Sequence, residues 1–140
     1  KDKVDELLDL NNAEKTINNH IRISFQSEND AYTLSDDSRL YARSLEDAVV
    51  YANTSLFFKL RSKGHFEETR IQSVLKDAKT QDEIAAKIYT ETRKSTFDKT
   101  TFAIDCALLD ALTIPDYIYT GLRWLSSKTQ TPAATATSEE

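Results

Sequence analysis

Ser44-Leu45-Glu46-Asp47-Ala48-Val49-Val50-Tyr51-Ala52 is where the chain changes character. Ser44 suits a helix N-cap, because its hydroxyl can accept one of the backbone N–H groups left unpaired in a first turn. Asp47 stands where a capping box places an acidic or amide side chain. Leu45, Ala48, Val49, Ala52, Leu56 and Leu60 recur at three- and four-residue spacing, which predicts one face of a long helix ending near Gly64. Downstream the pattern stays helical. A second helix is expected over 66–77, and a third from Thr80-Gln81-Asp82 through Ile84 and Ile88 to about Arg93. Asp98 can cap a fourth with Phe102, Cys106 and Leu109 inward. Pro115 opens a fifth as a first-turn proline, built on Tyr117, Ile118, Leu122, Trp124 and Leu125.

Upstream the pattern is mixed. Val4, Leu7, Leu8 and Leu10, with Ala13 and Ile17, read as a helix that Asn18-Asn19-His20 ends. Ile21, Ile23 and Phe25 alternate with Arg22 and Ser24, the period-two signature of a half-buried strand over about 21–25. Ser27-Glu28-Asn29-Asp30 is a turn, 31–34 a second short strand, and Ser35-Asp36-Asp37-Ser38 a polar loop. The expected organisation is an α/β segment over 1–43, a helical part over 44–126, and from 127 a Thr-, Ala-, Pro- and Ser-rich tail disordered by composition.

Composition narrows the function. The 140 residues carry 18 Lys+Arg against 23 Asp+Glu, a formal charge of -5. That balance argues against a nucleic-acid grip through bulk positive charge. One cysteine excludes an internal disulfide and gives no sign of an oxidising compartment; with two histidines it also excludes a Cys/His zinc cluster. With only Gly64 and Gly121, neither a phosphate-binding P-loop nor a dinucleotide fingerprint can be written. No apolar run approaches the ~20 residues of a membrane span, so no membrane is expected as a partner. The chain holds no methionine and opens on Lys1. It is therefore expected to be a piece from the C-terminal end of a larger protein.

A few residues admit a chemical reading. Glu46 and Asp47 in a first helical turn complement the helix dipole; equally, a carboxylate at a helix start can hold Mg²⁺ or Mn²⁺, which take oxygen ligands. Arg43 can bind a phosphate bidentately or stand solvated in its loop. Lys99 would be the first residue of the helix capped by Asp98, where the dipole disfavours a cation. A phosphate there would satisfy both the exposed N–H groups and the ammonium; the other reading is a mobile surface lysine. Lys59, Arg61 and Lys63, with Arg93 and Lys94, could touch a DNA backbone, although charge runs usually line solvated faces. Cys106 reads as a core thiol, Trp124 with Tyr117 and Leu125 as packing, and His20 and His65 as helix-end and loop residues.

Two stretches taken together point further. Tyr41-Ala42-Arg43-Ser44-Leu45-Glu46-Asp47-Ala48, followed by Tyr51-Ala52-Asn53, resembles the R-S-F-E-x-A segment of OLD-family (overcoming lysogenization defect) endonucleases. Asp98-Lys99-Thr100-Thr101-Phe102-Ala103-Ile104-Asp105, then Ile114-Pro115-Asp116-Tyr117-Ile118 and Gly121-Leu122-Arg123-Trp124-Leu125, resembles that family's closing pattern, K-T-x-F-A-x-x-L then I/V-P-x-Y-I-x-x-G-L-x-W-L. The likeness spans about 21–125, although only these stretches are specific, and 62–96 matches only in being helical.

The resemblance implies an α/β fold: the C-terminal portion of a TOPRIM-type nuclease domain with a mainly helical extension. It implies a cytoplasmic, metal-dependent DNA endonuclease acting in phage defence, as the Gabija nuclease does, with an ABC-type ATPase upstream as the only place for ATP. Its partners would be DNA, further copies of the whole protein in a homo-oligomer, and a defence-system protein. Carried over by position, Glu46 matches an acidic metal ligand and Lys99 the lysine near the scissile phosphate. Arg43 also falls on a motif position and, by its own guanidinium chemistry, is the candidate contact to substrate phosphate; Leu45 replaces the usual Phe. TOPRIM catalysis also needs a glutamate after a first strand and a D-x-D pair after a later one. No D-x-D occurs here, and the adjacent Asp36-Asp37 cannot substitute. By this reading the chain begins just after those acids and is inactive alone. The competing reading is a non-catalytic helical interaction or assembly module.

Overall fold

Ser44 starts the first α-helix among the described residues, as its hydroxyl suggests. In the computed structural model, which describes residues 16–17, 21–61, 66 and 71–129, its backbone is extended and Oγ accepts the Asp47 N–H at 3.2 Å. Helix α1 runs Leu45–Ala52. The return half of the capping box is displaced by one residue. Asp47 Oδ2 accepts the N–H of Arg43 at 3.2 Å, not that of Ser44. The same shifted pattern opens the helix Gln81–Glu91, where Thr80 Oγ1 accepts the Glu83 N–H and Glu83 Oε2 accepts the Lys79 N–H at 2.9 Å.

The long helix expected to reach Gly64 is in fact two: α1, then α2 (Thr54–Leu60). Asn53 separates them at φ -129°, ψ 22°. Its amide donates to Val49 O at 2.7 Å and Thr113 O at 2.8 Å, and its Oδ1 accepts the Thr113 N–H at 2.6 Å. A short polar side chain that binds backbone groups so well competes with helix continuation. The expected inner stripe is corrected with it: Leu45 is 47% exposed and Ala52 is also exposed, while Glu46 through Tyr51 are all buried. Gly64 lies outside the described residues.

Beyond it come α3 (Ile71–Asp77), α4 (Gln81–Glu91), α5 (Lys99–Ala107) and α6 (Asp116–Thr129). Asp98 caps α5 by accepting the Thr101 N–H at 3.0 Å and the Thr101 hydroxyl at 2.9 Å. Helix α6 continues through Ser127 to Thr129, past the position where the tail was expected to begin. Hydroxyl bonds from Ser127 to Trp124 O and from Thr129 to Ser126 O accompany that last turn. Residues 130–140 lie outside the described set. Among the described residues no helix is long and apolar enough to cross a membrane.

The strands are shorter than expected and do not build one layer. β1 (Thr16–Ile17) pairs antiparallel with β2 (Ile21–Arg22), Ile17 opposite Ile21. Ile17 was expected on a helix; residues 1–15 of that helix are outside the described set. The strand read over 21–25 keeps only its first two residues. Alternation specifies a strand where one face is buried, and here Ile21 is 58% and Ile23 38% exposed. β3 (Tyr32–Thr33), inside the expected 31–34, pairs with β4 (Arg39–Leu40), which the sequence pattern did not suggest. The polar loop between them is a hairpin connection: Asp37 takes φ 64°, and Asp36 Oδ1 accepts from Ser38 N and Oγ. Tyr32 and Ser35 hydroxyls then both donate to Asp82, tying this hairpin to α4.

The fold is thus mixed α/β and mostly helical. Phe25–Tyr117 forms one compact unit, and the described residues up to Ser24 and from Ile118 belong to another. The first unit holds the core. Phe57 stacks on Phe66 at 5.2 Å between ring centroids and lies 6.3 Å from Phe102, which meets Phe97 at 5.7 Å. Ile71, Leu75, Ile84, Ile88 and Val50 complete it with no measurable exposure. Each such side chain contributes roughly 1.5–3 kcal/mol of burial. In the second unit Gly121 allows close approach, because a Cβ there would sit 3.2 Å from Ser24 Cβ and Oγ. Trp124 is half-buried there, and Leu125, expected to pack, is 54% exposed.

Candidate functional site

Three helix ends meet around an open cavity of about 580 Å³: the start of α1 (Arg43, Ser44, Asp47), the end of α4 (Thr92, Arg93, Lys94) and the start of α5 (Phe97, Lys99). The caps explain the convergence. Ser44 and Asp98 fix where α1 and α5 begin, and the Thr92 N–H closes α4 on Ile88 O.

At its edge Lys99 Nζ and Glu46 Oε2, 53 positions apart in the chain, lie 3.3 Å from one another. The Glu46 side chain is 9% exposed and that of Lys99 61%. Burial alone would raise the Glu46 pKa. Its own backbone N–H, the Ser44 hydroxyl and the Lys99 ammonium outweigh that and hold the carboxyl below its ordinary value of 4.5. The ammonium at the positive end of α5 therefore has a carboxylate beside it, which offsets its unfavourable place on the helix dipole.

Arg43 is held by internal partners, although the residue stays exposed. Its guanidinium lies over the Tyr89 ring, donates to Tyr89 O at 2.7 Å, and places Nε 3.7 Å from Asp47 Oδ2. Asp47, read from sequence as a cap residue, does more. It is 1% exposed, and besides its contacts to Arg43 its Oδ1 accepts the Thr92 hydroxyl at 2.7 Å. No spacing signal could have joined two residues 45 positions apart. Tyr51 is buried nearby with a hydroxyl that finds no partner among the described residues. Burial and the Asp47 charge push its pKa up.

The five cations grouped as backbone contacts separate. Arg93 and Lys94 reach the cavity. Lys59 lines a different one of about 420 Å³ near Tyr32 and Thr113. Arg61 folds back onto the Phe58 ring and carbonyl. Lys63 lies outside the described residues, as do His20 and His65. Cys106 is a core thiol, its pKa pushed up to about 12 by burial and the neighbouring Asp105 charge.

The donor set does not by itself suit Mg²⁺ or Mn²⁺. Among the described residues no group of three or more His, Cys, Asp or Glu comes together. Glu46 offers one carboxylate already bonded to Lys99, and both Asp47 oxygens are taken. A hard divalent ion needs about six oxygens. What the arrangement can do is receive an anion: four cationic side chains line one cavity, three of them fixed by internal partners. No protein-family model, no curated protein and no solved structure matches this chain.

Proposed function

We propose that the chain supplies the phosphate-handling side of a metal-dependent DNA endonuclease centre, as the C-terminal TOPRIM part of an OLD-like nuclease. The observation that supports this is the meeting of Lys99 and Glu46 at the edge of a cation-lined cavity. These are the two residues that the sequence likeness pairs. Displacement at a phosphodiester builds negative charge on the non-bridging oxygens. A preorganised ammonium beside them lowers that barrier, because it needs no reorganisation when the charge develops. Lys99 takes that part, Glu46 holds it, and Arg43, with Nε against Asp47 and Nη2 on Tyr89 O, offers the phosphate its remaining N–H groups.

In the whole protein, Glu46 would be one oxygen ligand to Mg²⁺ or Mn²⁺ in a shell completed by acids from elsewhere, and the ion would supply Lewis-acid chemistry at the phosphodiester. ATP use, homo-oligomer assembly, cytoplasmic action against phage DNA and a defence-system partner belong to the same proposal.

The test is nicking of supercoiled plasmid by the whole protein with Mg²⁺ or Mn²⁺. Lys99→Ala and Glu46→Ala should each cut the rate by ~100-fold or more while circular dichroism stays native. Full activity in both variants overturns the assignment. A second reading, an interaction module without catalysis, has one observation in its favour: α6 buries none of its residues, leaving Tyr119, Leu122 and Leu125 about half exposed. It would be preferred if the whole protein left DNA intact.

A further inference from the structure

Of the four cations at the cavity, three are already engaged. Arg43 is bound to Tyr89 and Asp47, Lys99 to Glu46, and Lys94 to Glu91. Arg93 is exposed, lines the cavity, and has no hydrogen-bond or ion-pair partner among the described residues. The backbone that carries it is nevertheless anchored. The preceding residue, Thr92, is 6% exposed, and its hydroxyl donates to Asp47 Oδ1 at 2.7 Å while lying 3.1 Å from Ile88 O. The other oxygen of the same carboxylate accepts the Arg43 N–H. One buried carboxylate thus pins the two arginine-bearing segments, one oxygen to each. Burying a charge is costly unless it is fully bonded. That cost is hard to justify for a helix cap alone, which a single hydroxyl already provides.

We propose that Arg93 contacts a backbone phosphate of the DNA strand flanking the one at Lys99, and that the buried Asp47–Thr92 hydrogen bond is the positioning element that sets it. This rests on the reading of the cavity as a DNA phosphate site. The contact is sequence-independent, since a phosphate carries no base information. The competing role for Arg93 is that of a cation complementing the negative end of α4. That role would affect stability and leave DNA binding alone.

The experiment uses the whole protein and a fluorescein-labelled duplex oligonucleotide in metal-free buffer, with the dissociation constant measured against NaCl concentration. Each phosphate contact contributes about 0.9 to the slope of log affinity on log salt. Arg93→Ala should therefore flatten the slope by about one unit and weaken binding about fivefold near 0.1 M salt, for any duplex sequence. In the nicking assay it should raise KM with little change in kcat. Thr92→Val, which removes the hydroxyl but keeps the shape, should show most of the same loss, and Thr92→Ser should restore wild-type behaviour.

A wild-type slope and affinity for Arg93→Ala, in a protein that does bind and nick DNA, overturns the contact and leaves the site at Lys99 standing. Loss in Arg93→Ala with none in Thr92→Val overturns the positioning role. If the wild-type protein neither binds nor nicks DNA, the reading of the cavity itself has failed.

Discussion

Lys99 and Glu46 contribute to folding in a way that pH separates from the part proposed for them in function. Glu46 has its folded pKa depressed below the ordinary 4.5. Its favourable contribution is therefore complete above that unfolded value and is lost as pH falls through the lower folded one. Lys99 is well exposed, so its pair with Glu46 falls near the surface range of about 0.2–1 kcal/mol. Lys99→Ala should accordingly cost under about 1 kcal/mol in urea unfolding at pH 7. The gap from wild type should shrink as the titration is repeated downward from pH 5 to pH 3. A gap that stays constant would show that the lysine acts through something other than the Glu46 charge. Cys106 gives a second residue-scale expectation. With its pKa near 12 against an ordinary 9.0, the thiolate at pH 8 is rare. An aromatic disulfide reagent should label the native chain ~100-fold more slowly than the urea-unfolded one. Equal rates would mean that the thiol is not enclosed.

At the scale of elements, what was readable in the sequence is what local chemistry decides. Ser44 and Asp98 each announce a helix start through a side-chain oxygen three residues before the N–H that it binds; both caps form, and Thr80 makes the same cap where the third helix was expected to start. Lys99 and Glu46 were legible because each stands at such a start. The Asp47–Thr92 bond was not, since it depends on α1 and α4 packing against one another. Nor was the break at Asn53. An asparagine inside an apolar stripe reads as tolerated unless its amide finds partners, and its partner Thr113 lies 60 positions downstream. The two-residue strands were over-read for a related reason: a period of two says nothing about whether a face will be covered. Asn53 carries a test at this scale. Replacing it by Ala removes the two bonds to Thr113 and the one to Val49, for an expected loss of about 2–3 kcal/mol. Urea midpoints indistinguishable from wild type would show that the kink between α1 and α2 is set by packing instead.

Across the whole molecule the same compact unit carries core and cavity, yet the two should respond separately. The ring series Phe57, Phe102, Phe97 runs from the core to the cavity wall, so a core change along it would disturb both. Ile71 on α3 is fully buried but lines neither cavity. Ile71→Val should cost about 0.5–1.5 kcal/mol. An oligonucleotide that binds only the folded state should stabilise it by about 2.7 kcal/mol at one hundred times its dissociation constant. For distant sites such terms add to within ~0.5 kcal/mol. Ile71→Val should therefore begin lower and gain the full increment. Lys99→Ala, at the same oligonucleotide concentration, should begin close to wild type and gain distinctly less. Urea unfolding with and without oligonucleotide measures both. If the two variants gain equally, the oligonucleotide is not reading the Lys99 cavity, and DNA, where it stabilises the chain at all, does so through another surface.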